Sequence, residues 1–176
     1  MNILVFGIGN PGRQDDALGP DIVDAVQAHV ETCARAPASD SDPLCRQDIQ
    51  FDANYQLNVE DAEAISHCDI VVFVDATVEN LDGPFTFHKV DPEPTASFST
   101  HSVSPGGIVA LCEQMYNRTP AVYMLAVRGY AWEFNSPMTQ QARQNQRDAV
   151  DFLTSALCEA VPEDPDDYSL MDKYLS

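Results

Sequence analysis

The sequence predicts an α/β domain of three layers, α/β/α, in which helices cover both faces of a mainly parallel, twisted sheet of about five strands. Three observations predict it. Residues 70–74, Ile-Val-Val-Phe-Val, form a continuous apolar run, as expected of a strand buried on both faces. Residues 3–8 and 121–127 have the same character. Between these runs lie segments whose apolar residues return at helical spacing, and strands that alternate with helices in this way pair in parallel.

Taken in order, the chain opens on a short buried strand that Gly7, Gly9 and Gly12 carry into a tight turn. A helix follows, with Gly19 and Pro20 in its first turn, where a missing N–H costs nothing, and Ile22, Val23, Val26 and Val30 on its inner face. Residues 36–43, with Pro37 and Pro43, read as a surface loop. Residues 48–51 are a short strand and 59–65 a brief helix with acidic residues in its first turn. The run over 70–74 then ends at Asp75. Alternation over 85–90 predicts an edge strand with one wet face, and a polar loop spans 91–102. Ser104-Pro105 is a helix start, a capping hydroxyl followed by proline at the first helical position, with Ile108, Val109, Leu111 and Cys112 facing inward. After the strand over 121–127, a long helix over 139–160 buries Ala142, Ala149, Val150, Leu153 and Leu157 and presents its Gln, Asn and Arg residues to water. No repeat or linker divides the chain. It reads as one domain, 1–160, and an acidic C-terminal tail, 161–176, in which Glu163, Asp164, Asp166 and Asp167 make a solvated stretch.

Nine Lys and Arg against 28 Asp and Glu give a formal charge of −19, which repels nucleic acid and anionic lipid. Partners are therefore expected among proteins, metal ions and neutral ligands. Cys33, Cys45, Cys68, Cys112 and Cys158 are odd in number and never form C-x-x-C, which argues for reduced thiols and against a disulfide framework or zinc ribbon. The opening apolar run is too short for a membrane span and lacks a basic leader, so a cytoplasmic protein is expected.

Gly7, Gly9 and Gly12 match G-x-G-x-x-G after a strand, the dinucleotide fingerprint. Three features oppose that reading. Pro11 removes an N–H donor, Asp15 and Asp16 would repel a phosphate at the helix start, and the next strand ends near Asp52, too late to place an acid on a ribose. A turn that needs glycine for its conformation accounts for the glycines and leaves the aspartates without a task.

In such a sheet the carboxyl ends of the strands share one edge, and the first strand commonly neighbours the third where strand order switches. Asp16 follows the first strand and Asp75 ends the third, so both carboxylates should face one crevice. Either alone could be a turn former or a helix-terminal charge. His29, His67 and His88 fall on helix or edge-strand positions that explain them as exposed. His101 instead sits among Ser99, Thr100, Ser102 and Ser104 in the loop before a helix, again on the functional edge. Two carboxylates and one imidazole from three loops make a divalent-metal site with open positions, suited to nickel or zinc.

These residues carry a resemblance. Gly7-Ile8-Gly9-Asn10 with Asp15-Asp16 and Gly19-Pro20, then Val74-Asp75-Ala76, then Thr100-His101-Ser102-Val103-Ser104-Pro105, are similar to the motifs of the hydrogenase maturation endopeptidases. The likeness extends to about residue 160, and Tyr55-Gln56-Leu57 resembles a segment of part of that family. It implies a nickel-dependent endopeptidase that clips the C-terminal extension from a [NiFe] hydrogenase large-subunit precursor after nickel insertion. The matched Asp16, Asp75 and His101 would be the catalytic metal contacts, the nickel would come with the substrate, and the isolated chain would be a monomer. The chain departs from the family at Gly12, where many relatives have a bulky aliphatic residue, and at Gln14 and Ala17, where they have glycine. Asp52-Ala53 only partly matches the Asp-Gly pair that some relatives carry.

The chain has neither G-x-S-x-G nor H-E-x-x-H, and Asp75-Ala76-Thr77 has no second copy. Metal-assisted hydrolysis is the chemistry that these residues leave. Two alternatives belong to other classes: a non-catalytic nickel-binding maturation chaperone, although the histidine or cysteine clusters usual in carriers are absent, and a Rossmann-type dinucleotide-binding module.

Overall fold

A computed structural model describes residues 1–35, 48–93, 103–159 and 171–175. The expected loop over 36–43, the acidic stretch over 163–167, Cys45 and His101 lie outside the described residues. β1 (Asn2–Ile8), β2 (Asp48–Asn54), β3 (Ile70–Thr77), β4 (Phe85–Lys89) and β5 (Ala121–Arg128) form one sheet in the order β2-β1-β3-β5-β4. β1 pairs in parallel with β2 and β3, and β3 with β5, whereas β4 runs antiparallel to β5. α1 (Leu18–Arg35), α2 (Asp61–Ser66), α3 (Pro105–Tyr116) and α4 (Gln140–Glu159) supply the outer layers, so the fold is the three-layer, mainly parallel one that the sequence predicts.

The central strands carry continuous apolar runs, Ile3 to Phe6 and Ile70 to Val74, because both of their faces are covered. Ile3 and Val5 of β1 pack with Ile22 and Val26 of α1 and Leu153 of α4 on one side. Leu4, Phe6 and Ile8 pack with Ile65 of α2 and Ile108 and Cys112 of α3 on the other. Alternate side chains thus enter opposite cores, and each fully buried aliphatic residue contributes about 1.5–3 kcal/mol. α3 starts as the sequence predicts: Ser104 is extended, its hydroxyl accepts the N–H of Gly107 at 3.0 Å, and Pro105 opens the first turn. The helix ends at Asn117, whose N–H donates to the carbonyl of Glu113 at 3.1 Å and whose left-handed backbone (φ 52°) turns the chain out of the helix.

Two local differences have physical causes. β2 is longer than residues 48–51 because its pairing with β1 continues in register from Asn2↔Asp48 to Ile8↔Asn54, carrying polar residues along an edge where one side of each can meet water. Asn145, expected to face water on the last helix, is buried. Its amide donates to the carbonyl of Arg128 at 2.9 Å and to the Tyr130 hydroxyl at 3.1 Å, which satisfies the group away from solvent.

Beyond the acidic stretch the chain returns to the core. Met171 is wholly buried, the Tyr123 hydroxyl donates to Asp172 at 2.7 Å, and the Tyr174 ring meets Phe152 edge-on at 5.6 Å. β1 is flanked by β2 on one side and β3 on the other, so strand order switches between β1 and β3. The crevice that such a switch opens lies at the carboxyl ends of these strands.

Candidate active site

The first turn of α1 rests directly on the seam between β1 and β3. A Cβ on Gly19 would stand 2.1 Å from the carbonyl oxygen of Ile8 and 2.6 Å from that of Val74, so only glycine lets helix and strands approach this closely. Gly9 has φ +139°, and a Cβ there would meet the Asp16 carbonyl at 2.0 Å. Backbone conformation and close packing therefore account for Gly9 without a pyrophosphate.

The segment between β1 and α1 closes in a single 3₁₀ turn, Gln14–Ala17, that carries both aspartates and gives them opposite surroundings. Asp16 is half-buried, and its carboxylate accepts the N–H of Asn10 at 3.2 Å. Asp75 is half-buried on β3, two residues before the strand ends, and accepts the N–H of Ala76 at 2.7 Å. Burial pushes the Asp75 carboxyl up from the ordinary 3.8 to about 7; the Ala76 N–H opposes the rise and the charge of Asp16 adds to it. Asp16 and Asp75, placed in one crevice by sequence, thus lie within each other's field.

His101, the third expected contact, lies outside the described residues. Among the described residues no group of three His, Cys, Asp or Glu side chains could hold a metal ion. The two carboxylates nevertheless suit a divalent cation in donor chemistry: both are hard oxygen ligands, and a cation would relieve the repulsion that disfavours ionised Asp75.

Asp15 has a different task from its neighbour. It is fully buried, and its carboxylate accepts four hydrogen bonds, from the N–H groups of Tyr130 (2.8 Å), Ala131 (3.1 Å) and Thr139 (2.7 Å) and the hydroxyl of Thr139 (2.8 Å). The sequence offers these two adjacent carboxylates as one functional clue, but Asp15 is buried among its own donors, whereas Asp16 is half-buried and within the field of Asp75. Nothing local in the sequence signals this division, because every partner of Asp15 lies more than a hundred residues further along.

From Asp75 and the end of β3 a cleft of about 450 Å³ runs across the middle of β5 to the end of β4, lined among others by Glu79, His88, Lys89, Glu93, Met124 and Pro105. His88, expected to be merely exposed, is exposed but borders this cleft. On the other side of the switch, a groove of about 230 Å³ is walled by Gly9, Pro11, Pro20, Asn54 and Tyr55. Tyr55, Val78, Tyr130 and Phe134, from the loops after β2, β3 and β5, are exposed along the same edge.

Paired carboxylates at the switch point of a three-layer α/β/α sheet define the class of protein: an α/β domain with an acidic crevice at the carboxyl ends of its strands. Solved structures that share the architecture include hydrogenase maturation proteases. The hydrogenase maturating endopeptidase HybD from E. coli superposes with a TM-score of 0.61 at 20% identity, over 89% of this chain and 92% of that one. The [NiFe] hydrogenase maturation protease HycI from Thermococcus kodakarensis KOD1 gives 0.59 at 19% identity, over 89% and 92%. A hydrogenase 3 maturation protease gives 0.53 at 23% identity, over 89% and 88%. The chain has the fold of the [NiFe] hydrogenase maturation proteases. No protein-family model matches the chain, and no curated protein does.

Proposed function

We propose that the chain is a nickel-dependent endopeptidase that removes the C-terminal extension of a [NiFe] hydrogenase large-subunit precursor after nickel insertion. The observation that carries the reading is the pair Asp16 and Asp75, held at the β1–β3 switch point of a fold common to hydrogenase maturation proteases. Tyr55, Val78, Tyr130 and Phe134, exposed along that edge, favour a polypeptide partner.

In this reading nickel arrives within the precursor. Asp16 and Asp75 offer it carboxylate oxygens, and His101 offers an imidazole nitrogen. Held by these residues, the metal would supply Lewis acidity to the cleavage. Asp16 keeps its orientation through the Asn10 N–H, and Asp75 through the Ala76 N–H, so neither has to be ordered when substrate docks. Asp75 must give up its proton to serve as a ligand, so metal binding would weaken as pH falls. A site with so few donors of its own suits a checkpoint, since binding becomes strong only when the partner brings both metal and surface.

Incubation of the full chain with a nickel-loaded precursor, read by mass spectrometry, tests the proposal. Loss of a C-terminal peptide from the loaded precursor and an intact nickel-free precursor are expected. A nickel-loaded precursor that stays full length would overturn it.

A further inference from the structure

The loop that carries Asp16 is stitched to residues 129–139 at several points. The Asp15 N–H donates to the carbonyl of Ala131 at 3.2 Å, and the Asn135 N–H to that of Gly12 at 3.0 Å. The Arg13 Nε donates to the carbonyl of Trp132 at 3.2 Å, and the Gln14 side chain accepts the Glu133 N–H at 3.0 Å. At the centre is the buried Asp15 carboxylate with its four donors, two of them from Thr139, whose hydroxyl oxygen also accepts the Ala142 N–H in the first turn of α4 at 3.2 Å. Gly129 leaves room for this knot: a Cβ there would press within 3.2 Å of the Asp15 Cβ and 2.8 Å of the Trp132 ring.

We infer that Asp15 is a positioning residue: by clamping the 3₁₀ turn to the β5–α4 connection it fixes the direction in which Asp16 presents its carboxylate to the crevice. All four groups that Asp15 meets are donors, so only a two-oxygen acceptor satisfies them. An amide in its place would set its own NH₂ against the N–H groups of Tyr130 and Ala131 or against that of Thr139. Asp16 follows at the next residue of the same tight turn, so any slackening of the clamp turns the Asp16 side chain. Asp15 never touches substrate; it acts through Asp16 and through the connection that bears exposed Tyr130 and Phe134.

The inference rests on the proposed peptidase reading for its catalytic consequence, while its structural part stands separately. The test compares the full chain with Asp15→Asn and with Leu153→Ala, a core substitution on α4 that lowers stability without touching either loop. Amide hydrogen exchange and cleavage of nickel-loaded precursor are measured where circular dichroism shows each protein folded. In Asp15→Asn, exchange over residues 10–17 and 129–139 is expected to rise together by about tenfold or more. Its kcat should fall by about tenfold or more while KM stays within about threefold. Leu153→Ala should do neither. Should Asp15→Asn not fold, Thr139→Val, which removes one donor of the four, should show the same changes at smaller amplitude. Unchanged exchange over 10–17 in whichever variant folds, or unchanged kcat with wild-type cleavage intact, would overturn the inference. If the wild-type chain cleaves nothing, the peptidase reading fails and exchange alone decides the role of Asp15.

Discussion

Asp16 and Asp75 repel each other across the seam between β1 and β3, and the repulsion adds to the burial that lifts the Asp75 carboxyl to about 7. Its folded-state affinity for a proton exceeds that of the unfolded chain. The stability that Asp75 contributes is therefore complete below about pH 4 and is lost as pH rises toward 7. Asp75→Asn removes this titration. Without added metal, the variant should gain on the wild type by on the order of 2 kcal/mol between pH 5 and pH 8, seen as a difference in Tm that widens with pH. A constant difference would mean that Asp75 ionises freely.

The contact of Gly19 with the carbonyls of Ile8 and Val74 sets how near α1 lies to the seam. Gly19→Ala would push a methyl group into backbone that has nowhere to go, at a cost of about 3 kcal/mol. Gly83→Ala is the control, since a Cβ there would find only the Phe85 carbonyl at 3.8 Å. Its effect should stay within about 0.5 kcal/mol. Urea unfolding of both variants measures the contrast.

Met171, Asp172 and Tyr174 close the aromatic group of Phe87, Tyr123 and Phe152 at the β4 edge. Met171→Ala empties a fully buried site and should cost about 2–5 kcal/mol in chemical denaturation. At temperatures where the variant is folded, cleavage of nickel-loaded precursor should continue, because Met171 lies in the core and lines neither the cleft beside Asp75 nor the groove beside Gly9.

Much of this fold is legible in residue order because the responsible signals are local. The continuous run of Ile70 to Val74 can be buried on both faces only in a central strand, the alternation of Phe85 to Lys89 gives away an edge strand, and Ser104-Pro105 marks a helix start within two residues. Asp16 and Asp75 could be set in one crevice because parallel topology brings strand ends together. What the sequence hides is non-local. Asp15 looks like a second crevice acid until its donors at Tyr130, Ala131 and Thr139 are seen. Asn145 looks like an exposed helix amide until the carbonyl of Arg128 is found beneath it. Met171 follows an acidic stretch whose composition gives no hint of a return to the core.

If Asp16, Asp75 and His101 grip one ion, as proposed, paramagnetic nickel reports on it directly. Ni²⁺ titrated into isotopically labelled protein should broaden the amides of Asn10, Asp16 and Ala76 and the ring signals of His101 together. Asp16→Asn or His101→Ala should abolish the shared effect. Broadening of the Asp75 surroundings with the His101 ring untouched, or an effect centred elsewhere on the acidic surface, would contradict the account.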